Sequence, residues 1–232
     1  MFQISRDKSF IVVCNIRTPI SSDEEVVGTG IFISKDEKAF LVTASHVADD
    51  TNCKTYIVLC DSSNNPTTVA LKKLNPDLFW IKHSIEDIAA LEIDIANNLD
   101  ILDHRCFPFR QIEFDISKFS RDDELTCVGF PNGLGALGKY CPFTFRSYLS
   151  AAEVSFERFD NHVKAVFACL ENPSVGGYSG GPIFDLGVVS VGNIKTSKGS
   201  TRLLGIMHGT IFDETGGKIA VFSPALYLRD II

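Results

Sequence analysis

At 232 residues, with 45% hydrophobic, 22% charged and 10% aromatic side chains, the chain has the make-up of a globular protein, which excludes disordered and collagen-like states. A chain of this length buries roughly 70–75% of its unfolded surface, so neither metal nor disulfides are required for folding. The net charge of −7 argues against a broad cationic face, and no apolar run approaches the ~20 residues of a membrane span or forms a secretory signal, so neither nucleic acid nor membrane is an expected partner.

Short apolar runs rich in Val, Ile and Phe, parted by Gly, Asn, Asp and Ser, predict an all-β protein. In chain order the first strands are expected at 10–15, 26–34, 40–43, 55–60, 67–73, 78–82 and 89–93. From 94 to 121 charges scatter, Pro108 intervenes and alternation is lost, as in a connector running over the surface. A second series follows at 125–130, 143–150, 163–170, 188–194, 202–208 and 219–222, and two strand sets of similar size suggest two barrels. Ser223 as N-cap and Pro224 in the first helical position start a short terminal helix. The expected division is 8–95, a first barrel; 96–121, the connector; 122–223, a second barrel; and 224–232, the helix.

The seven cysteines are odd in number, and Cys14, Cys60, Cys127 and Cys169 lie in apolar β-type runs where a thiol acts as a small core residue. Reduced thiols and a cytoplasmic location are expected. There is no HExxH, CxxC or paired Cys/His spacing, so no metal and no cofactor are expected. Gly133, Gly135 and Gly138 spell GxGxxG, but Pro142 and a run of β-formers follow where a dinucleotide site needs a helix.

Three segments carry chemistry. GGYSGGP, from Gly176 to Pro182, sets Ser179 among four glycines, a turn that lets successive N–H groups converge on one point. The N–H groups of Gly177 and Ser179 then form an oxyanion hole for a carbonyl attacked by Ser179. LVTASHV sets His46 after an apolar strand and EDIAALEI sets Asp87 at the head of another, positions from which side chains project into a cleft. The order His46, Asp87, Ser179 is that of a nucleophilic triad. It runs opposite to the Ser…Asp…His order of α/β-hydrolase esterases. His83, His104 and His162 sit among charged or turn residues and are expected to be solvated.

On these residues the chain resembles the trypsin-like serine proteases of the chymotrypsin fold, within them the HtrA-type bacterial branch. LVTASHV, DIAAL and GYSGGPIFD carry the likeness, with GTGIFIS, VGFPNGLG, LLGIMHG and IAVFSPALYL as further patches. The resemblance implies a single peptidase domain of two packed antiparallel six-stranded β-barrels and a short C-terminal helix. It implies a serine endopeptidase that cleaves protein or peptide substrates through an acyl-enzyme, with His46, Asp87 and Ser179 catalytic and the oxyanion hole at Gly177 and Ser179. A protease-like binding scaffold, latent or inactive, is the alternative. Tyr178 stands where pancreatic-type enzymes have an aspartate that pairs with a freed N-terminus, so activation by propeptide cleavage is not expected. Substrate delivery by the PDZ domain usual in the HtrA branch is not expected. Control by a regulatory protein partner or a loop transition is a further expectation, and the oligomeric state is left open.

In such proteases the specificity pocket is built from residues matching 172–176, 207–210 and 221–223, which makes Pro173, Ser174, Met207, His208, Gly209 and Thr210 candidate substrate-binding residues. Pro173 occupies the place of the carboxylate that selects Lys or Arg, six positions before Ser179, and Glu171 is expected to face solvent. Cleavage after Ala, Val or Leu is therefore expected, with an acidic preference through His208 as the minority option. Three readings of His208 stay open: pocket recognition, contact with Asp87, or a structural role.

Overall fold

Along the second long strand of the chain, Ile31 and Ile33 turn to one face and Phe32 to the other, and all three are fully buried. A strand buried on both faces needs two cores, and this alternation sets the architecture of the computed structural model, which describes residues 11–61, 63–191, 194–197, 199–212 and 214–232. Phe32 joins Cys14, Ile16, Leu41, Ile57 and Leu91 inside the first half. Ile31 and Ile33 meet Val128, Phe130, Phe184 and Ile206 of the second half in the layer that joins the two. A third cluster, around Leu125, Leu149, Leu204, Met207 and Phe222, fills the second half.

The first half comprises β1 (Val13–Pro19), β2 (Glu25–Lys35), β3 (Lys38–Thr43), β4 (Tyr56–Cys60), β5 (Pro66–Ala70), β6 (Trp80–Lys82), β7 (Ala89–Ile93) and β8 (Phe107–Pro108). Its strand order is β5-β4-β1-β2-β3-β7-β6. The fold is all-β and chymotrypsin-like as expected, but this half is an eight-stranded sheet rather than a closed six-stranded barrel. The extra strand comes from the connector: β1 begins opposite Ile31, and β8 takes the edge of β2 beyond it, in parallel at Ile33 and Ser34. The connector is thus no bare surface run, since Phe107 and Ile112 are buried and Ile112 bridges to Leu203.

The second half contains a closed barrel, β10-β11-β16-β15-β12-β9, from β9 (Glu124–Gly129), β10 (Phe143–Glu157), β11 (Lys164–Leu170), β12 (Pro182–Asp185), β15 (Arg202–Phe212) and β16 (Lys218–Pro224). A ribbon of β13 (Val188–Val191) and β14 (Ile194–Ser197) replaces the single strand expected at 188–194. β10 outruns its expected end by seven residues, pairing first with β9 and then, through two register shifts, with β11. Such bulges bend a strand and break its alternation, which hides the continuation in the sequence.

Among the described residues there are three short α-helices: α1 (Ser45–Asp49), α2 (Leu71–Leu74) and α3 (Leu99–Leu102). α2 ends the strand expected to reach 73, because Leu71 and Leu74 are buried three apart, a helical rather than a strand spacing. The terminal helix is a 3₁₀ segment, Ala225–Asp230; Ser223 and Pro224 still belong to β16, so Pro224 is its cap rather than its first residue. None of the seven cysteines is disulfide-bonded. Among the described residues no helix is long and apolar enough to cross a membrane.

Candidate active site

His46 lies in the first turn of α1, fixed by its own backbone: its N–H donates to Asp87 Oδ1 (3.0 Å) while Nδ1 lies 2.7 Å from Asp87 Oδ2. The preceding Ser45 donates to the Ile88 carbonyl (2.9 Å), which ties the helix to the start of β7. Asp87 is fully buried at the end of a tight turn that His83 shapes. His83 Nδ1 accepts the N–H groups of Ile85 and Glu86, and Nε2 lies 3.1 Å from Asp230. Its ring also packs on Tyr227, so His83 is a structural residue and not the solvated one expected from its charged neighbours. His104 and His162 are exposed.

Asp87 serves two histidines. His208 Nδ1 approaches the same Oδ2 at 2.5 Å, and Arg158 Nη2 donates to Oδ1 at 3.0 Å. Burial alone would push the Asp87 carboxyl up, but the hydrogen bonds from His208 and His46 and their charges outweigh it and hold the carboxyl far below the usual range. His46, Asp87 and His208 converge closely enough to suggest a metal triad. Their ligand atoms are already joined to one another by hydrogen bonds, however, and the Arg158 guanidinium occupies the place of a cation beside the carboxylate.

The Asp87 contact fixes the orientation of His208. The register of β15 on β16 slips between Met207 and Gly209, so His208 is the bulged residue, which re-aims its side chain toward Asp87 and frees its carbonyl. The ring of His208 is buried and bonded to Asp87, which is the second of its three expected roles. Met207, also expected in the pocket, is buried inside the barrel because alternation turns it to the face opposite His208. Pro173 and Glu171 are exposed. Ser174 and Thr210 join the two pocket segments: Thr210 Oγ1 donates to the Ser174 carbonyl (3.0 Å) and lies 3.0 Å from Ser174 N and 2.8 Å from its Oγ. A hydroxyl has one proton and two lone pairs, so Thr210 is saturated by Ser174 alone.

Ser179 reaches the cleft on a backbone turn. Its Oγ donates to the His208 carbonyl (3.0 Å), and no hydrogen bond joins it to His46 among the described residues. The Gly176 carbonyl accepts Asn132 N–H at 2.7 Å. In a planar trans peptide the following N–H points the opposite way, so that of Gly177 faces away from Asn132. Neither the Gly177 nor the Ser179 amide has a backbone partner among the described residues. Gly177 has φ of +94°, and a Cβ there would lie 2.3 Å from the Phe130 carbonyl oxygen, so only glycine fits.

Two residues that the motifs did not disclose complete the site. Thr29 of β2 donates its hydroxyl to the Gly177 carbonyl (2.7 Å) and accepts Phe130 N–H (3.1 Å), while its own N–H binds the Ser179 carbonyl (2.8 Å). The signal was GTG: Gly28 and Gly30 flank Thr29 because a Cβ on either would strike Val47 or Leu41. Arg158 had no such signal, since RFDNH reads as an ordinary polar turn.

With this geometry in place, a family model described as a trypsin-like peptidase domain matches residues 28–192. The chain belongs to this family. It is accordingly a hydrolase of the serine endopeptidase class. A sequence comparison with curated proteins gives no match. Among solved structures, the active form of the Rv3671c protease from M. tuberculosis is similar at 16% identity, with a TM-score of 0.59 over 97% of this chain and 81% of that one. The MamO protease domain from Magnetospirillum magneticum has 12% identity and a TM-score of 0.60 over 96% of both chains. The HtrA-type protease AlgW, solved with a tripeptide, has 19% identity and a TM-score of 0.58 over 95% of this chain and 58% of its own length. At these identities the likeness is one of fold.

Proposed function

We propose that the chain hydrolyses peptide bonds through an acyl-enzyme formed on Ser179. Ser179 Oγ turns from the His208 carbonyl toward His46 and adds to the scissile carbonyl carbon as His46 Nε2 takes its proton. The oxyanion is bound by the N–H groups of Gly177 and Ser179. As the intermediate collapses, the C–N bond breaks and His46 returns the proton to the leaving amine. Water then repeats the sequence on the ester. Asp87 keeps the His46 proton on Nδ1 and stabilises the imidazolium.

The observation that carries this reading is the Asn132 N–H bond to the Gly176 carbonyl, which turns the Gly177 N–H away from Asn132 and leaves it without a backbone partner among the described residues. Oriented donors that need no rearrangement are what transition-state stabilisation demands. The Ser174–Thr210 bridge supports cleavage after small residues, since it spans the two segments that line the specificity pocket in this family. Seven unpaired cysteines suit a reducing, cytoplasmic setting.

The test is a fluorophosphonate probe. The wild type should label stoichiometrically and Ser179→Ala not at all. Equal labelling of both ends the assignment of Ser179, and labelling of neither leaves a protease-like binding scaffold.

A further inference from the structure

Arg158 lies at the tip between β10 and β11, yet its side chain is only 4% exposed. Four of its donors have partners: Nε and Nη2 grip Asp160 (3.0 and 2.5 Å), Nη1 binds the Ile85 carbonyl (2.8 Å), and Nη2 also reaches Asp87 Oδ1 (3.0 Å). The same hairpin docks again where Val166 N–H meets the buried Glu86 carboxylate, at 3.2 Å to each oxygen. A turn of the second half is thus anchored on the Asp87 turn of the first.

The two Asp87 oxygens receive four donors, two each: His46 N and Arg158 Nη2 on Oδ1, His46 Nδ1 and His208 Nδ1 on Oδ2. An ionised carboxylate accepts only, so both imidazoles carry their proton on Nδ1. A buried carboxylate between two imidazoles and nothing else draws an extra proton onto one of them, because an isolated interior charge is costly. A guanidinium beside it weakens that demand. We propose that Arg158 is a positioning residue, which presents Asp87 to His46 and by its charge lowers the pH at which His46 becomes a neutral base. This rests on the reading of His46 as the base.

The other charged groups around His46 and Arg158 come from every neighbouring element. Asp49 and Asp50 follow His46 on α1, with Asp49 paired to Lys82 of β6. Glu86 sits on the Asp87 turn beside His83, and Asp160 on the hairpin. Of these, Asp160 competes directly with Asp87 for the guanidinium. The two partners of Asp87's charge balance therefore act in opposite senses: loss of Arg158 raises the proton affinity of His46, and loss of Asp160 lowers it.

The experiment is an NMR titration of the assigned His46 ring protons in the wild type, Arg158→Met and Asp160→Asn, alongside pH profiles of hydrolysis. The His46 midpoint should rise by about one pH unit in Arg158→Met and fall measurably in Asp160→Asn. The acid limb of kcat/KM should follow in each case. Arg158→Lys keeps the charge but not the fork, so its midpoint should stay near that of the wild type while kcat falls and KM holds. Unmoved midpoints, or shifts of the same sign in both charge variants, overturn the proposal. If Arg158→Met does not fold, Asp160→Asn decides alone: a downward shift supports, an unmoved or upward one refutes. Midpoints that move as stated in a protein that hydrolyses no peptide would refute the functional reading and leave the positioning role standing.

Discussion

The two sides of the cleft are held by different forces. On one, His46 and Asp87 are fixed by side-chain hydrogen bonds and charge in a buried pocket, with His208 and Arg158 completing the shell. On the other, Ser179 and its amide donors are fixed by backbone bonds and by glycines that leave room for them. Charges titrate and amides do not. The first side is therefore open to control by pH and by neighbouring charges, whereas the second responds only to changes in shape.

The largest expected effect separates the two sides. Asp87→Asn preserves the size of the side chain and should fold, but lose about 10⁴-fold in kcat because the amide can hold the wrong tautomer of His46. Activity within tenfold of wild type would show that His208 or Arg158 orients the base unaided. Gly177→Ala strikes the other side: its Cβ must displace the Phe130 carbonyl or the Asn132 amide, and losing one donor costs about 100- to 1000-fold. That loss should be equal at pH 6 and pH 9, and a loss that varies with pH would break the comparison.

How far the sequence foretold this arrangement divides along the same line. The serine side was legible almost whole, since a glycine motif states its backbone geometry directly, and GGYSGGP led to Gly177 and Ser179 without the fold. On the charged side only His46 and Asp87 could be read. Arg158 comes from a strand continuation disguised by two register shifts, and it reaches Asp87 from 71 positions away. His83 was misread because its partners, Asp230 and Tyr227, belong to the far end of the chain. Met207 and His208 both lie inward: the bulge aims His208 at Asp87, and alternation from there turns Met207 into the barrel core. β8 was missed because two residues carry no period.

Two smaller effects sharpen the contrast. Thr210→Gly deletes the bridge to Ser174, so kcat/KM for substrates with Leu at the cleaved position should rise about tenfold relative to Ala, read from a peptide library. An unchanged ratio would remove Thr210 from the pocket wall. On the charged side, the Asp87 value lies below that of an unfolded carboxyl, so its stabilisation is complete above roughly pH 4 and fades as pH falls through the folded value. Thermal melting from pH 5 down to pH 2 should therefore lower Tm more steeply in the wild type than in Asp87→Asn, by about 4 °C or more. Parallel curves would mean that other carboxylates govern acid unfolding.

Thr29 ties these sides together in a way that reaches beyond catalysis. One residue of the first sheet holds the carbonyls of both Gly177 and Ser179, so the sheet cannot peel away while the oxyanion turn keeps its shape. A peptidase in a crowded solution of its own copies is at greatest risk from molecules that have begun to unfold. Here the same bond that opens when the first sheet departs also dismantles the turn that does the cutting. A copy that unfolds from this side loses its oxyanion turn at the same step.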